Sequence, residues 1–447
     1  MSFPCYPKYK ASGVEWLGDV PEYWDLKPLK YSTQIYTGNS LNESEKKLYE
    51  STDLESFPYI SSKDIDLATH EVQYENGLSI PKENCDLKVA KNGTFLLCIE
   101  GGSAGRKVAL LSYDVCFVNK LCCFSSRQNN KFLFYFAQSQ NFKDKFGLSL
   151  TGLIGGVSTS LLKNFQIPTP SDQEQTAIAV FLDRETAKID GLVAEQQWLM
   201  ELLKEKRQGV ISHAVTKGLN PHAPMKPSGF EWLGDVPVGW EVKPLKHSIT
   251  KIEQGWSPQC GSEPAAENEW GVLKVGCVNG DRFDPNEQKA LPFDTEPLTQ
   301  YEIKSGDILV SRGNTLELVG SATYIGEVRP RLLLCDLLYR FQARQMLAES
   351  EYLVLVLRSL NLRFQIERDV TGTSPSMKKI GQGTLRKLII ALPQLDEQRM
   401  ILSFIKVETT KFDTLAVEAQ CAIDLLQERR IALISAAVTG QIDVRQQ

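Results

Sequence analysis

Long hydrophobic runs are the first thing missing from this sequence of 447 residues. No stretch of about eighteen apolar residues occurs, which removes a membrane-spanning helix. The opening MSFPCYPKYK lacks the apolar core of a signal peptide, so a cytoplasmic chain without membrane contact is expected. The four histidines (His70, His213, His222, His247) fall in neither HExxH nor Cys/His ligand spacing, and no metal site is expected. The ten cysteines form no CxxC pairs and no disulfide-like framework, and read as reduced, mostly buried thiols. No GxxxxGK[ST] phosphate loop is present, which excludes an ATP motor of that type. Gly101-Gly102-Ser103-Ala104-Gly105 is glycine-rich after a predicted strand but has neither a Lys-Ser/Thr end nor a dinucleotide fingerprint, and reads as a turn. An Asp/Asn-Pro-Pro-aromatic tetrad is also missing; Asp284-Pro285-Asn286 and Asn220-Pro221-His222 are turn sequences. No residue is therefore assigned to catalysis, cofactor binding or metal binding.

The bulk composition, 42% hydrophobic and 23% charged, is that of a globular protein, and the length suits two to four domains. The net charge of −5 conceals an asymmetry. Residues 1–87 hold 8 Lys/Arg against 15 Asp/Glu, whereas residues 88–170 hold 10 against 3. The second half repeats the sense, with 7 against 12 over 218–299 and 13 against 9 over 300–390. A local basic surface is what nucleic-acid phosphates require, although ordinary surface variation also accounts for such counts.

What the chain does contain, it contains twice. SGVEWLGDVPEYWDLKPLK at 12–30 recurs as SGFEWLGDVPVGWEVKPLK at 228–246, an offset of 216 residues. Pro170, Glu174, Phe181, Glu185, Asp190 and Val215-Thr216 recur at an offset of 223, as Pro393, Glu397, Phe404, Glu408, Asp413 and Val438-Thr439. The sequence between these echoes is dissimilar. Repetition of this kind fixes architecture before any motif is considered: two framework segments are kept and two inserts have diverged.

The inserts read as strand-rich α/β. FPYISSKDI, GTFLLCIEGG and LSYDVCFVN in the first are expected strands, with GVLKVGCVNG, SGDILVSRGN and GSATYIGEV as counterparts in the second. Helical patches are expected at 131–146 and 349–370, followed by Gly/Ser/Thr-rich loops at 151–160 and 371–376. Beyond the prolines, Ser171 or Asp172 can cap a long helix. Its seam is Ile178, Leu182, Ile189, Leu192, Leu199, Leu203 and Val210, and a second helix repeats it with Ile401, Ile405, Phe412, Leu415, Ala422, Leu426 and Leu433. A period near 3.5 predicts a coiled coil, most economically an antiparallel pair, with each helix docking on its own insert as the alternative. The fold expected is α+β (mixed α/β) with a pseudo-twofold internal repeat. It comprises a first recognition domain at 1–170, a central helix at 171–219, a second domain at 220–393 and a C-terminal helix at 394–447.

The paired EWLGxxP…W segments, the prolines before the Glu-Gln pairs and the long helices ending in SxAVT resemble the specificity subunit of type I restriction-modification systems. The resemblance spans nearly the whole chain. It implies two target recognition domains, each reading one half of a bipartite duplex DNA sequence, with the helix pair setting the gap. It also implies a subunit that is not itself catalytic. The partners would be two methyltransferase subunits binding S-adenosylmethionine and restriction subunits using ATP and Mg, as part of a defence against foreign DNA. The inserts are variable in that family and cannot be matched residue by residue to a known target.

Candidate DNA contacts are polar loops at matching places in the inserts. The first offers Asn39 and Ser40, Lys63, Ser103 with Arg106 and Lys107, and Thr151 with Ser158 and Thr159; the second offers Gln254 with Trp256 and Ser257, Arg312 with Asn314 and Thr315, Thr371 with Thr373 and Ser374, and Lys378 with Lys379. Arg grips guanine and Asn or Gln grips adenine bidentately, while Lys, Ser, Thr and glycine amides hold phosphates. Arg312 is a base or phosphate contact or else a solvated arginine on a hairpin, and Lys378-Lys379 is a phosphate contact or a solvated pair. Trp16, Trp24, Trp232 and Trp240 recur unchanged between dissimilar inserts, which favours packing anchors over base-stacking platforms. Two other functional classes are open at this stage: a two-headed protein-interaction adaptor, and a methyltransferase or nuclease with degenerate motifs.

Overall fold

Short apolar runs buried on both faces build the core of each half. The computed structural model describes residues 3–49, 55–83, 86–126, 129–152, 155–372 and 377–445. The chain forms two compact units, Met1–Trp198 with Ala419–Gln447 and Leu199–Glu418. A central helix, Asp172–Lys217, and a C-terminal helix, Leu395–Val438, each contribute one part to either unit.

In the first unit an antiparallel sheet runs in the order Thr33–Thr37, Leu121–Ser126, Phe95–Cys98, Val108–Leu110. Successive side chains alternate across a strand. Phe95 and Leu97 therefore pack on the helical side, while Leu96 and Cys98 enter the core toward a second sheet. That second sheet runs Ser79–Pro81, Ser56–Ile60, Val115–Phe117, Val89–Ala90, with one parallel pairing, between Ser56–Ile60 and Val115–Phe117. A strand covered on both faces needs apolar residues at every position, and FLLC supplies them.

The second unit repeats this topology with different residues. Its antiparallel sheet runs Glu253–Gln254, Leu338–Phe341, Ile308–Ser311, Ala322–Tyr324, and its second sheet pairs Gly271–Leu273 parallel to Leu332–Leu333. Ile308 and Val310 face the helices while Leu309 faces the second sheet, as in the first unit. Two of the three expected pairs of strand segments, four segments in all, hold equivalent places. The third pair is not equivalent: the counterpart of Val115–Phe117 is Leu332–Leu333, and Ala322–Tyr324 corresponds to Val108–Leu110. Loop lengths differ between the inserts, so order along the chain does not reveal this.

Each predicted helical patch is two helices. Asn130–Gln138 and Gln140–Leu148 break at Ser139, and Ser350–Leu357 and Leu360–Asp369 break at Ser359. Both serines are fully buried with extended ψ (149° and 154°), and each Oγ donates to the carbonyl three residues back, Phe136 or Val356, at 2.7 Å.

The long helices pair antiparallel in each unit. In the first, Ile178, Phe181 and Leu182 share a core with Ile434, Ala437 and Val438, and Arg430 Nε lies 2.9 Å from Asp190. In the second, Ile211, Ala214 and Val215 meet Ile401 and Ile405, and Arg207 Nε lies 3.4 Å from Asp413. The two ion pairs are related by the offset of 223 residues. The buried seam is shorter than the spacing predicts, because Leu192 (45%), Leu199 (38%) and Leu415 (45%) are exposed. No helix of the described residues is long and apolar enough to cross a membrane.

Candidate nucleic-acid interface

The repeated segments hold the inserts and lie apart from the candidate loops. Trp24 and Trp240 are fully buried, and the backbone carbonyls of Trp16 and Trp232 accept from the amides of Asn141 and Asn361, both at 2.8 Å. These asparagines follow the helix breaks. The amides of Gln140 and Leu360, one residue earlier, donate to Ser435 and Ser212 of the long helices at 2.9 and 3.2 Å. The SxAVT helix ends, the tryptophan segments and the breaks thus form one joint, built twice. The Ser-x-Asn signature of the breaks, Ser139–Asn141 and Ser359–Asn361, escapes the repeat comparison because it consists of two residues inside divergent helices. Gln175 and Gln398 are buried and reach back to the carbonyls of Pro170 and Pro393 at 3.0 and 2.8 Å, which explains the proline and Glu-Gln echo.

Each joint presents a strand that ends in a loop. Ile99 donates to Lys120 O (2.9 Å) and accepts from Val157 N (3.0 Å); Arg312 donates to Leu337 O (2.8 Å) and accepts from Ile380 N (2.9 Å). The next residues bridge to a hairpin, Glu100 to Gly156 and Gly313 to Lys379. Thr151 and Thr371 close these hairpins, each Oγ1 donating to a carbonyl, Gly156 or Lys379, at 3.3 Å. The candidate loops of the two inserts therefore share the backbone bonds at their bases and differ in side chain.

A second loop lies beside the first in each unit. Gly38 and Gly255 follow the edge strand, where a Cβ would stand 1.8 Å from Phe117 O and 2.1 Å from Leu334 O. The following amides, of Asn39 and Trp256, donate to the same two carbonyls at 2.9 and 3.0 Å.

The side chains divide by how fully the fold uses them. Lys63, Arg106, Ser40, Thr151, Ser257, Thr371 and Lys379 are exposed. Lys107 is half-buried and donates to Ser62 O at 2.8 Å, tying the Lys63 loop to the loop that carries Ser103. Arg106 donates to Gly102 O within its own loop. Asn39 Oδ1 accepts from Lys88 N at 2.9 Å. Ser158 accepts from Leu161 N at 3.2 Å and caps a single helical turn that begins at Thr159.

In the second unit Arg312 is half-buried, its backbone bonded to Leu337 and Ile380, with Nη1 donating to Asp336 O at 3.4 Å. Ser257 hydrogen-bonds the Asp336 carboxylate, so Ser257 and Arg312 meet around one residue. Asn314 Nδ2 donates to Asn279 Oδ1 at 2.9 Å and Thr315 N to Asn314 Oδ1 at 2.9 Å; Asn279 was not among the expected contacts. Lys378 Nζ donates to Gly372 O at 2.7 Å. Gln254 lies in the edge strand beside Trp256. Thr373 and Ser374 lie outside the described residues.

The basic excess of the second insert is partly consumed internally. Arg340 pairs with Glu253 at 2.5 Å, Arg358 with Asp281 at 3.2 Å and Arg363 with Glu367 at 2.7 Å. In the first unit His70 stands near Arg430 and Lys143. Burial, reinforced by these two cations, lowers its pKa to about 4, so the imidazole whose Nδ1 lies 3.1 Å from Val108 O is neutral at pH 7.

Topology and paired loops define a protein of two like modules, each mounted by the same joint on its part of an antiparallel helix pair. The family model for the type I restriction modification DNA specificity domain matches residues 21–196 and 237–418, and the chain belongs to that family. The EcoEI specificity subunit of Escherichia coli is 32% identical over 208 residues, covering 46% of this chain and 35% of that one. The chain thus spans about a third of that relative's length. The MjaVIII specificity subunit of Methanocaldococcus jannaschii is 25% identical over 405 residues, 87% of each chain. A chain solved in a study of complex assembly and conformational transition of the type I R-M system shares the fold, with a TM-score of 0.67 and 17% identity over 94% of this chain and 98% of the other.

Proposed function

We propose that this chain is the non-catalytic recognition subunit of a type I restriction-modification complex. Each module reads one half of an asymmetric, bipartite duplex target through its strand-end loop and hairpin. The observation that carries this reading is the pair of equivalent loops with unlike side chains: Glu100, Gly101 and Gly156 in one module stand where Gly313, Asn314 and Lys379 stand in the other. The same backbone bonds at the base of each loop, carrying different side chains, suit two half-sites of different sequence. In this proposal Lys63, Arg106, Arg312 and Lys379 are among the contacts, and the helix pair, whose members are roughly 69 and 66 Å long at 1.5 Å per residue, sets the spacer.

The same proposal places catalysis in the partners. Two methyltransferase subunits carrying S-adenosylmethionine dock on the repeated framework and methylate adenine. Restriction subunits using ATP and Mg cleave unmodified DNA. Mapping methylated adenines by strand in cells with and without this chain tests the whole reading. The expected result is one bipartite asymmetric motif that vanishes with the chain. An unchanged methylation pattern would count against it, and methylation by the purified chain alone would place the activity here instead. Changing the spacer of the mapped target by one or two base pairs is expected to abolish methylation-competent binding, because half-sites keep their relative face only at a fixed separation along the helical turn.

A further inference from the structure

Residues kept in both halves persist for one of two reasons: they build the frame, or they meet the same ligand twice. The last residue of the first echo, Lys30 and Lys246, is exposed in both units and so falls outside the first explanation. In the first unit the amides of Leu29 and Lys30 donate to Phe165 O and Lys163 O at 2.9 and 3.0 Å, which sets Lys30 beside Lys163. In the second, Leu245 N donates to Leu388 O at 2.8 Å and sets Lys246 against the equivalent turn, where Arg386 takes the place of Lys163 and Lys387 that of Asn164. Basic residues therefore recur at this corner of both modules, although the turns belong to divergent inserts.

In the first unit the corner opens into a groove of about 620 Å³ lined by Lys30, Lys88 and Lys163 with Thr33, Gln34 and Tyr36, and by no carboxylate. Lys30 Nζ donates to Asn164 Oδ1 at 3.1 Å and Lys88 Nζ to Thr37 O at 3.0 Å; both are neutral acceptors, and among the described residues no carboxylate pairs with either lysine. A second repeated lysine gives an internal contrast. Lys27 and Lys243 lie 3.3 and 2.6 Å from Asp25 and Glu241, so that repeat is neutralised in both copies. Clustered cations without counter-charge raise the local potential and are stabilised by a polyanion. The ligand that both modules share, whatever bases they read, is the phosphate backbone.

We propose that Lys30, Lys88 and Lys163 in one module, and Lys246, Arg386 and Lys387 in the other, form a sequence-independent phosphate-binding shelf, distinct from the strand-end loops and hairpins proposed to read bases. This rests on the DNA-recognition reading. The test uses the full chain with its methyltransferase partners and a fluorescent duplex of arbitrary sequence, titrated at several salt concentrations. The variants are Lys30→Gln with Lys163→Gln, Lys246→Gln with Arg386→Gln, and a Lys30→Arg/Lys163→Arg control.

Each double Gln variant is expected to weaken binding and to lower the slope of log affinity against log salt by about 2, roughly 0.9 per lost phosphate contact. The Arg control is expected to bind like the parent. Binding and slope unchanged in the Gln variants overturns the shelf while leaving DNA recognition intact. Impaired assembly with the partners at an unchanged slope also overturns it, marking a protein-docking surface instead. Failure of the parent complex to bind any duplex overturns the DNA reading and the shelf with it. Equal loss in the Arg and Gln variants refutes the role of charge.

Discussion

At the scale of single residues, the same amino acid does different work in the two copies. Trp240 Nε1 donates to Glu397 at 3.0 Å, but the buried Trp24 Nε1 has no partner among the described residues. The equivalent glutamate, Glu174, accepts instead from Tyr6 and Tyr23 at 2.8 and 3.0 Å, residues whose places in the second half are taken by His222 and Gly239. Trp240→Phe is therefore expected to destabilise the chain by about 1–2 kcal/mol more than Trp24→Phe in urea unfolding, since both remove the same volume but only one breaks a bond to a charged group. His70 supplies a pH dependence. Its folded pKa of about 4 lies below the unfolded value of about 6.5, so the unfolded state binds more protons between these limits. Its stabilising contribution is complete above pH 6.5 and is lost as pH falls toward 4, a loss of at most about 2 kcal/mol by pH 5. His70→Asn tolerates the positive φ of 60° and is expected to flatten that part of the stability–pH profile between pH 7 and 5.

At the scale of elements, the glycine after each edge strand decides whether the loop carrying candidate contacts can start where it does. Any side chain at Gly255 would collide with Leu334 O, a backbone atom that cannot turn aside. Gly255→Ala is expected to cost roughly 3 kcal/mol or more, or to leave the second module unfolded, as read by thermal melting. Gly38→Ala is expected to do the same in the first module. The helix breaks at Ser139 and Ser359 show why element boundaries were poorly legible: each patch keeps its helical periodicity through the break, and the interruption is stabilised by tertiary contacts, those of Asn141 and Asn361 with the tryptophan segments and of Gln140 and Leu360 with the long helices. The long helices, by contrast, were legible to within a residue or so at their starts, because proline and capping signals are local.

At the scale of the whole molecule, an acidic net charge is compatible with the proposed DNA partner because basic residues are concentrated locally while many others are spent internally. Arg340, Arg358 and Arg363 are bound within the fold, whereas Lys30, Lys246 and Arg386 are exposed. Counting charges along the sequence could not make this distinction, since it depends on which carboxylates the fold brings near. The expected target, two unlike half-sites at fixed spacing, likewise belongs to this scale, and the methylation map is the measurement that checks it.

The sequence by itself determined the frame. Repeated tryptophans, prolines, Glu-Gln pairs and an apolar period near 3.5 are local or periodic signals, and they were enough to establish two modules, two long helices and membership in a family of DNA specificity proteins. Only the tertiary structure decided that the dissimilar inserts share one topology, because residues as different as Ile99 and Arg312 make the same backbone hydrogen bonds. It also decided which candidate side chains are held by the fold, as Ser158, Asn39 and Lys107 are, and which are exposed. Strand pairing and loop adjacency join residues far apart in the chain through backbone groups that every amino acid carries, and side-chain identity alone does not record them.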